Sequence, residues 1–400
     1  MQHRLHTVPN NSLRTSEASK KMNYNNRDIA GVKTVALLLV ISVVATGLFY
    51  HQPVAQAAAP SPILPDLVDR KILGTIDKGL RYLVDTQRRD GSWLNQGGYG
   101  NYPAVMTGLS GLALMAGGST PETGPHAKNV AKAMNYLLRV AATHNDGLVA
   151  GPGAEYRSMY GHGFAMLFLA QCYGMELNVT TEAKLRKVLN GGVALIVKSQ
   201  SKKTSRFGKP CGGWYYTPSS NSDEGSVTVT QLQALRACRN VGIKVPKDCI
   251  EKAVEYLRHC QMGDGGICYS ASSRGSSRPP ISAAAIACFY AAGVYDRSTG
   301  GKGDEAEMVE KLVRYVDNTT GNSSSGGGHW FYTQFYLAQV KYQQGKKAWK
   351  GYYPAMSQRL MQLQNPDGSW NGDSVGTTYG TAIATMILQL PYGYLPIVQR

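Results

Sequence analysis

The sequence predicts an all-α chain, an (α/α)6 toroid of six helical hairpins preceded by an N-terminal hydrophobic export or anchor helix. Three observations carry this. One amphipathic pattern recurs six times, each copy is followed by a second and nearly charge-free helical pattern, and no β-rich stretch of any length competes. Composition agrees: of 400 residues 43% are hydrophobic and only 17% charged, which excludes a disordered chain.

Residues 1–33 are polar and basic, with Arg4, Arg14, Lys20, Lys21, Arg27 and Lys33 against Glu17 and Asp28. The run at 34–50, TVALLLVISVVATGLFY, carries no charge. Its 17 residues are at the short end of what crosses a bilayer, and the positive flank precedes it. The N-terminus is therefore expected inside and the remainder exported. Ala55-Gln56-Ala57 has the small-x-small form of a signal-peptidase site, so cleavage near Ala57 and retention as a membrane anchor both stay open. An Ala/Pro-rich linker over 51–68 leads into the repeat domain at 69–400.

The amphipathic copies lie at 78–87, 132–141, 192–200, 252–261, 311–320 and 355–364, spaced by roughly 45 to 60 residues. Apolar residues recur in them at three and four, as in Ile72, Ile76, Leu80 and Leu83, or Ile250, Val254 and Leu257. Such helices have one wet face. The second set runs over 105–116, 163–173, 227–238, 281–292, 330–342 and 377–390, rich in Ala, Gly, Ser and Thr. Helices of that composition bury nearly all round. Six alternations close most economically as a double ring with the buried set inside, which also removes the open ends that a solenoid has to cap.

The net charge of +16 raises the question of nucleic acid, but the six bases and two acids of the first 57 residues leave +12 on the remainder, and those bases are scattered. The densest group, Lys198, Lys202, Lys203, Arg206 and Lys209, lacks interleaved aromatics, so no nucleic-acid partner is expected. Seven cysteines leave at least one thiol unpaired within the chain. Cys260 with Cys268, or Cys238 with Cys249, are separated by loop signals that could bring them close, and spacing does not decide the pairing.

The turns carry a further pattern. Gln87-Arg88-Arg89-Asp90-Gly91-Ser92-Trp93 and Gln364-Asn365-Pro366-Asp367-Gly368-Ser369-Trp370 resemble the Q-x3-G-x-W repeat of the prenyltransferase and squalene-cyclase superfamily. Weaker copies are Gln261 to Gly266, without the Trp, and Gln200 followed by Gly212-Gly213-Trp214. The segment 158–174 and the run 212–216 look like exported bacterial repeat proteins of that superfamily. The resemblance spans about residues 69–390 and implies the toroid reached above. It also implies an active cavity inside the ring, with functional residues near the N-terminal ends of the inner helices. Free N–H groups and a positive dipole stand at those ends.

On that reading the candidate catalytic residues are Glu155, His162, Asp223 and Glu224, and the candidate ligand-binding residues are Tyr102, Tyr156, Arg157, Tyr160, Thr228, Arg278, His329, Tyr332 and Tyr379. Helix capping explains Asp223 as simply as acid chemistry does, and a structural role is open for both histidines. The D-x-D-D acid motif of class II cyclases is missing; Asp223-Glu224-Gly225-Ser226 comes nearest. Asp264, Cys268 and His329 are a zinc trio by composition only, because Cys268 falls in a turn, so no metal and no cofactor is expected. Cys211-Gly212-Gly213-Trp214 excludes the Cys-Gly-Glu-Gln thioester.

Two functions compete. The first is an exported or membrane-anchored cyclase- or transferase-like protein that binds a lipophilic, isoprenoid-type ligand; it predicts a deep pocket with Glu155, Asp223 or Glu224 facing inward. The second is a non-catalytic toroidal scaffold for an envelope component or protein partner, which predicts a cavity filled by side chains. Glycan chemistry at the rim is a third possibility, since tyrosine faces suit sugars.

Overall fold

The computed structural model describes residues 64–98, 100–151, 155–175, 178–205, 208, 210–320 and 329–398. The basic segment, the charge-free run at 34–50 and the signal-peptidase motif lie outside the described residues. Among the described residues no helix is long and apolar enough to cross a membrane.

Twelve α-helices are found there: α1 (Arg70–Thr86), α2 (Pro103–Ala116), α3 (Ala127–Ala141), α4 (Ser158–Cys172), α5 (Val179–Ser199), α6 (Gly225–Asn240), α7 (Lys247–Cys260), α8 (Pro279–Ala291), α9 (Gly303–Thr320), α10 (Trp330–Gln343), α11 (Lys346–Leu363) and α12 (Thr377–Gln389). The even-numbered helices touch one another in cyclic order, α12 returning to α2, and each odd-numbered helix packs outside, α1 on α12, α3 on α2 and so on around. This is a closed (α/α)6 toroid.

The two sets differ as their sequences require. In α1 the buried residues Ile72, Thr75, Ile76, Gly79, Leu80 and Leu83 fall on one stripe and the rest meets water. All fourteen residues of α2 are buried. Small residues let the inner helices close up: a Cβ on Gly108 would stand 2.7 Å from the Phe164 carbonyl oxygen of α4.

Four of the turns between outer and inner helices are built to one plan. Gln87 Nε2 donates to Gly91 O at 3.0 Å in its own turn and to Asn129 O at 3.0 Å on the next outer helix. Gln200 reaches Gly212 O and Cys249 O, Gln261 reaches Gly265 O and Met308 O, and Gln364 reaches Gly368 O and Thr75 O. The last of these joins the sixth hairpin to the first and shuts the ring. Gly91 and Gly368 adopt φ of 92° and 90°, and a Cβ on them would lie 2.3 and 2.5 Å from the carbonyls of Lys132 and Lys78 on the neighbouring outer helix. Only glycine fits a left-handed turn pressed against a backbone.

Each turn tryptophan is fully buried and ties the outer helix to the inner one. Trp93, Trp214 and Trp370 donate their indole N–H to Leu83 O, Ile196 O and Leu360 O, each at 2.7 Å. Their backbone N–H groups donate to Thr107, Thr228 and Thr381 Oγ1. In the fourth turn Ile267 takes the tryptophan position, with its N–H donating to Ser282 Oγ at 2.9 Å. That turn also holds a short antiparallel hairpin that the sequence does not announce, made of β1 (Cys268–Ser270) and β2 (Arg274–Ser277).

Where the inner helices end, the ring is filled. Leu112, Leu167, Phe335, Met386 and Ile387 meet the returning C-terminal residues Leu390, Leu395 and Ile397, leaving only about 20 Å3. Gln233 donates to Gln339 Oε1 at 3.2 Å across this plug, so the pair of buried amides is partnered. All seven cysteines are buried thiols, and neither Cys238–Cys249 nor Cys260–Cys268 is joined by a disulfide.

Candidate functional site

The opposite end, where the inner helices begin, holds an open cavity of about 700 Å3. Its mouth is made by helix caps. Tyr102, Arg157, Glu224, Arg278 and His329 are the N-cap residues of α2, α4, α6, α8 and α10, and all five line the cavity. Each has a non-helical backbone at the point where its inner helix starts. Below them the wall becomes apolar and aromatic: Val105, Met106 and Leu109 from α2, Phe164 from α4, Phe335 from α10, Ile383 from α12, with Tyr160, Tyr332 and Tyr379 among them.

Two arginines stand at the rim on aromatic faces. The Arg157 guanidinium lies 4.6 Å from the Tyr216 ring centroid and that of Arg278 lies 5.0 Å from Tyr269, contacts of cation–π type. The Tyr216 and Tyr269 hydroxyls are hydrogen-bonded to each other, so the four side chains form one arc. Inside it, Glu224 accepts from Val227 N at 2.8 Å and from Ser226 Oγ at 2.8 Å, and Tyr160 Oη donates to it at 3.4 Å. Burial pushes the Glu224 carboxyl above the usual carboxylate range, against the pull of these bonds. A second acid, Asp373, lines the far side and accepts from Trp330 N at 3.0 Å and Phe331 N at 3.2 Å, capping α10; burial raises its pKa too.

Five residues read from the sequence as site members do not line the cavity. Glu155 sits behind the cavity wall, where Oε1 accepts from Ala104 N at 3.2 Å at the start of α2; burial lifts its pKa to about 7. His162 is fully enclosed between Val149 N, which donates to Nδ1 at 3.1 Å, and Gly192 O, 3.3 Å from Nε2. Burial pushes it down to about 4, so it is a neutral strut. Asp223 accepts from Ser270 Oγ and Ala271 N, both at 2.7 Å, and holds the β-hairpin in place. Thr228 is occupied by Trp214 N and by its own bond to Glu224 O. Tyr156 is 70% exposed and does not line the cavity.

Glu224, Tyr102, Arg157, Tyr160, Arg278, His329, Tyr332 and Tyr379 do come together in the cavity. Reading the sequence misses Tyr216 and Tyr269. Tyr216 follows the Gly212-Gly213-Trp214 turn at once, which is the signal that could have found it; Tyr269 lies in a strand of three residues, too short for any periodicity. The zinc trio does not assemble: Asp264 is bound to Ser277 Oγ and Gly266 N in its turn, and among the described residues no three of His, Cys, Asp and Glu converge to hold a metal.

No protein-family model and no curated protein matches the sequence. Solved structures do match. The GH76A α-1,6-mannanase from Salegentibacter sp. HEL1_6 aligns with TM-score 0.58 and 9% identity over 81% of this chain and 99% of that one. An inactive variant of the same enzyme in complex with α-1,6-mannotriose gives 0.57 and 10% over the same shares. The apo type II terpene cyclase MstE from Scytonema gives 0.49 and 14% over 81% and 99%. The chain has the α/α toroid fold. At identities this low the likeness concerns fold alone, and the chemistry has to come from the residues of the cavity.

Proposed function

We propose that this toroid is a terpenoid cyclase- or prenyltransferase-like protein whose cavity holds a lipophilic, isoprenoid-type molecule. The observation that carries the reading is the open cavity itself. It has the size of small-molecule sites, its depth is aliphatic and aromatic, and its few polar groups sit at the mouth, where they orient a ligand. A scaffold without a ligand predicts a filled interior, as found only at the other end. Arg157 and Arg278 beside the N-termini of α4 and α8 favour a ligand whose polar end is anionic. If the protein catalyses a reaction, Glu224 is the group placed to hold and donate a proton, because its buried carboxyl keeps that proton to higher pH. In this reading the chain works outside the cytoplasm, either anchored by residues 34–50 or released near Ala57.

A lipid extract offered to the purified chain, with retained molecules identified by mass spectrometry, tests this. Wild type is expected to retain an isoprenoid, Val105→Trp to lose it by filling the cavity, and Val179→Ala, exposed at the start of the outer helix α5, to behave as wild type. A chain that retains no lipid sinks the proposal. Glycan binding is the second reading, favoured by Tyr216, Tyr269 and Trp330 at the mouth; α-1,6-mannotriose offered in the same assay separates the two.

A further inference from the structure

We infer that Cys260 and Cys268 are a disulfide-forming pair that staples the fourth turn of the ring to its outer helix. Three of the turns tie themselves to that helix by an indole N–H, in Trp93, Trp214 and Trp370. The fourth has Ile267 in the tryptophan position, which has no side-chain donor to offer. In that same turn, and in none of the three others, a cysteine ends the outer helix and another follows the substituted residue.

The backbone brings the two together. Gln261 and Ile267 form an antiparallel bridge, and Met262 N donates to Gly266 O at 2.8 Å in the same register. Cys260, the last residue of α7, and Cys268, the first of β1, each stand one residue beyond that bridge on its outer side. The bridged residues between them have the spacing of an antiparallel pair, about 4.5 to 5.5 Å between Cα atoms, which is within the span of a disulfide. Both side chains are buried, and the Cys268 thiol donates to Ser270 O at 3.3 Å.

The pair is also chemically unequal. The neighbouring Cys260 thiol, aided by Arg274, draws the Cys268 thiol down to about 7, while burial raises Cys260. Cys268 is thus the one that attacks as thiolate. It displaces one thiolate from the disulfide of an oxidant, either a small-molecule disulfide or a protein dithiol oxidase, giving a mixed disulfide. Cys260 then attacks the Cys268 sulfur and expels the second thiolate. Two cysteine thiols are oxidised, the oxidant's disulfide is reduced to two thiols, and the two protons leave on those products. The bond would form as the turn folds, before burial closes over it. It would hold β1, whose partner strand β2 runs directly into Arg278. None of this depends on what the cavity binds.

The full chain synthesised in a glutathione redox buffer is unfolded, its thiols are counted, and linked peptides are mapped by mass spectrometry. Five of the seven thiols should remain, with one linked peptide joining Cys260 to Cys268. Reduction should lower the thermal midpoint, and the Cys260→Ser/Cys268→Ser double variant should show no such fall. Seven free thiols, or a bond through any other cysteine, overturns the pairing. A midpoint unmoved by reduction overturns the stapling role.

Discussion

The two ends of the toroid axis are walled by the same six helices and yet one is stoppered and the other open. Around the C-terminal halves, Leu112, Leu167, Met386 and Ile387 reach inward and the chain's own Leu390, Leu395 and Ile397 fill what remains. Around the N-terminal ends the cavity is lined by caps, Arg157, Glu224, Arg278 and His329 among them, which leave about 700 Å3. The difference teaches that neighbour-to-neighbour packing makes the ring, while axis-facing side chains decide what the ring encloses. A binding site here is a place where the core has been left unfinished at one end of a wall that is complete.

The sharpest way to break that separation is to damage the wall. Trp370 is fully buried, donates to Leu360 O and packs on α1 at Gly79. Trp370→Ala should lower stability by about 3 to 5 kcal/mol in denaturant unfolding and abolish ligand retention with it. Damage to the stopper should act on stability alone: Leu112→Ala is expected to lower it by about 2 to 5 kcal/mol while the folded fraction still retains ligand. Val105→Trp at the open end should do the reverse, sparing the unfolding midpoint and eliminating retention. If Leu112→Ala empties the cavity as well, the two ends are coupled and the comparison fails.

The wall behind the cavity carries a pH signature. Burial lifts Glu155 from 4.5 to about 7, so the folded chain binds its proton more tightly than the unfolded one. The stability this lends is complete below pH 4.5 and is lost as pH rises to 7. The stability of wild type relative to Glu155→Gln should fall by up to about 3 kcal/mol across that window, read from denaturant midpoints at stepped pH. A flat difference would show that Glu155 is solvated. The smallest effect belongs to the seam: Gln364→Ala removes the bond to Thr75 O and should lower stability by about 1 kcal/mol, no more than Gln87→Ala does at an ordinary junction.

The ring was legible because its signals are long. Fourteen-residue helices such as α2, buried on all sides, and one-striped helices such as α1 declare themselves by composition and period, and the Gln-to-Trp turns name the junctions. The cavity was legible only in part. Arg157 and Tyr156 are adjacent in sequence, yet one lines the cavity and the other does not and is 70% exposed. Asp223 and Glu224 divide the same way, one held by the hairpin and the other capping α6 into the cavity. Thr228 looks available until the N–H of Trp214 is seen to occupy it. These outcomes depend on single backbone dihedrals and on partners tens of residues away, and no period or spacing encodes them.

The bond from Gln364 to Thr75 repeats between the sixth hairpin and the first what Gln87 does between the first and the second. The seam therefore carries the same glutamine tie as the junctions at Gln87, Gln200 and Gln261, and adds bonds of its own, such as Gln96 Nε2 to Thr378 Oγ1 at 2.8 Å. A circularly permuted chain, opened between α6 and α7 and spliced across its present ends, would have every one of these contacts available to it. Synthesis order is a property of the gene here, and the architecture is indifferent to it.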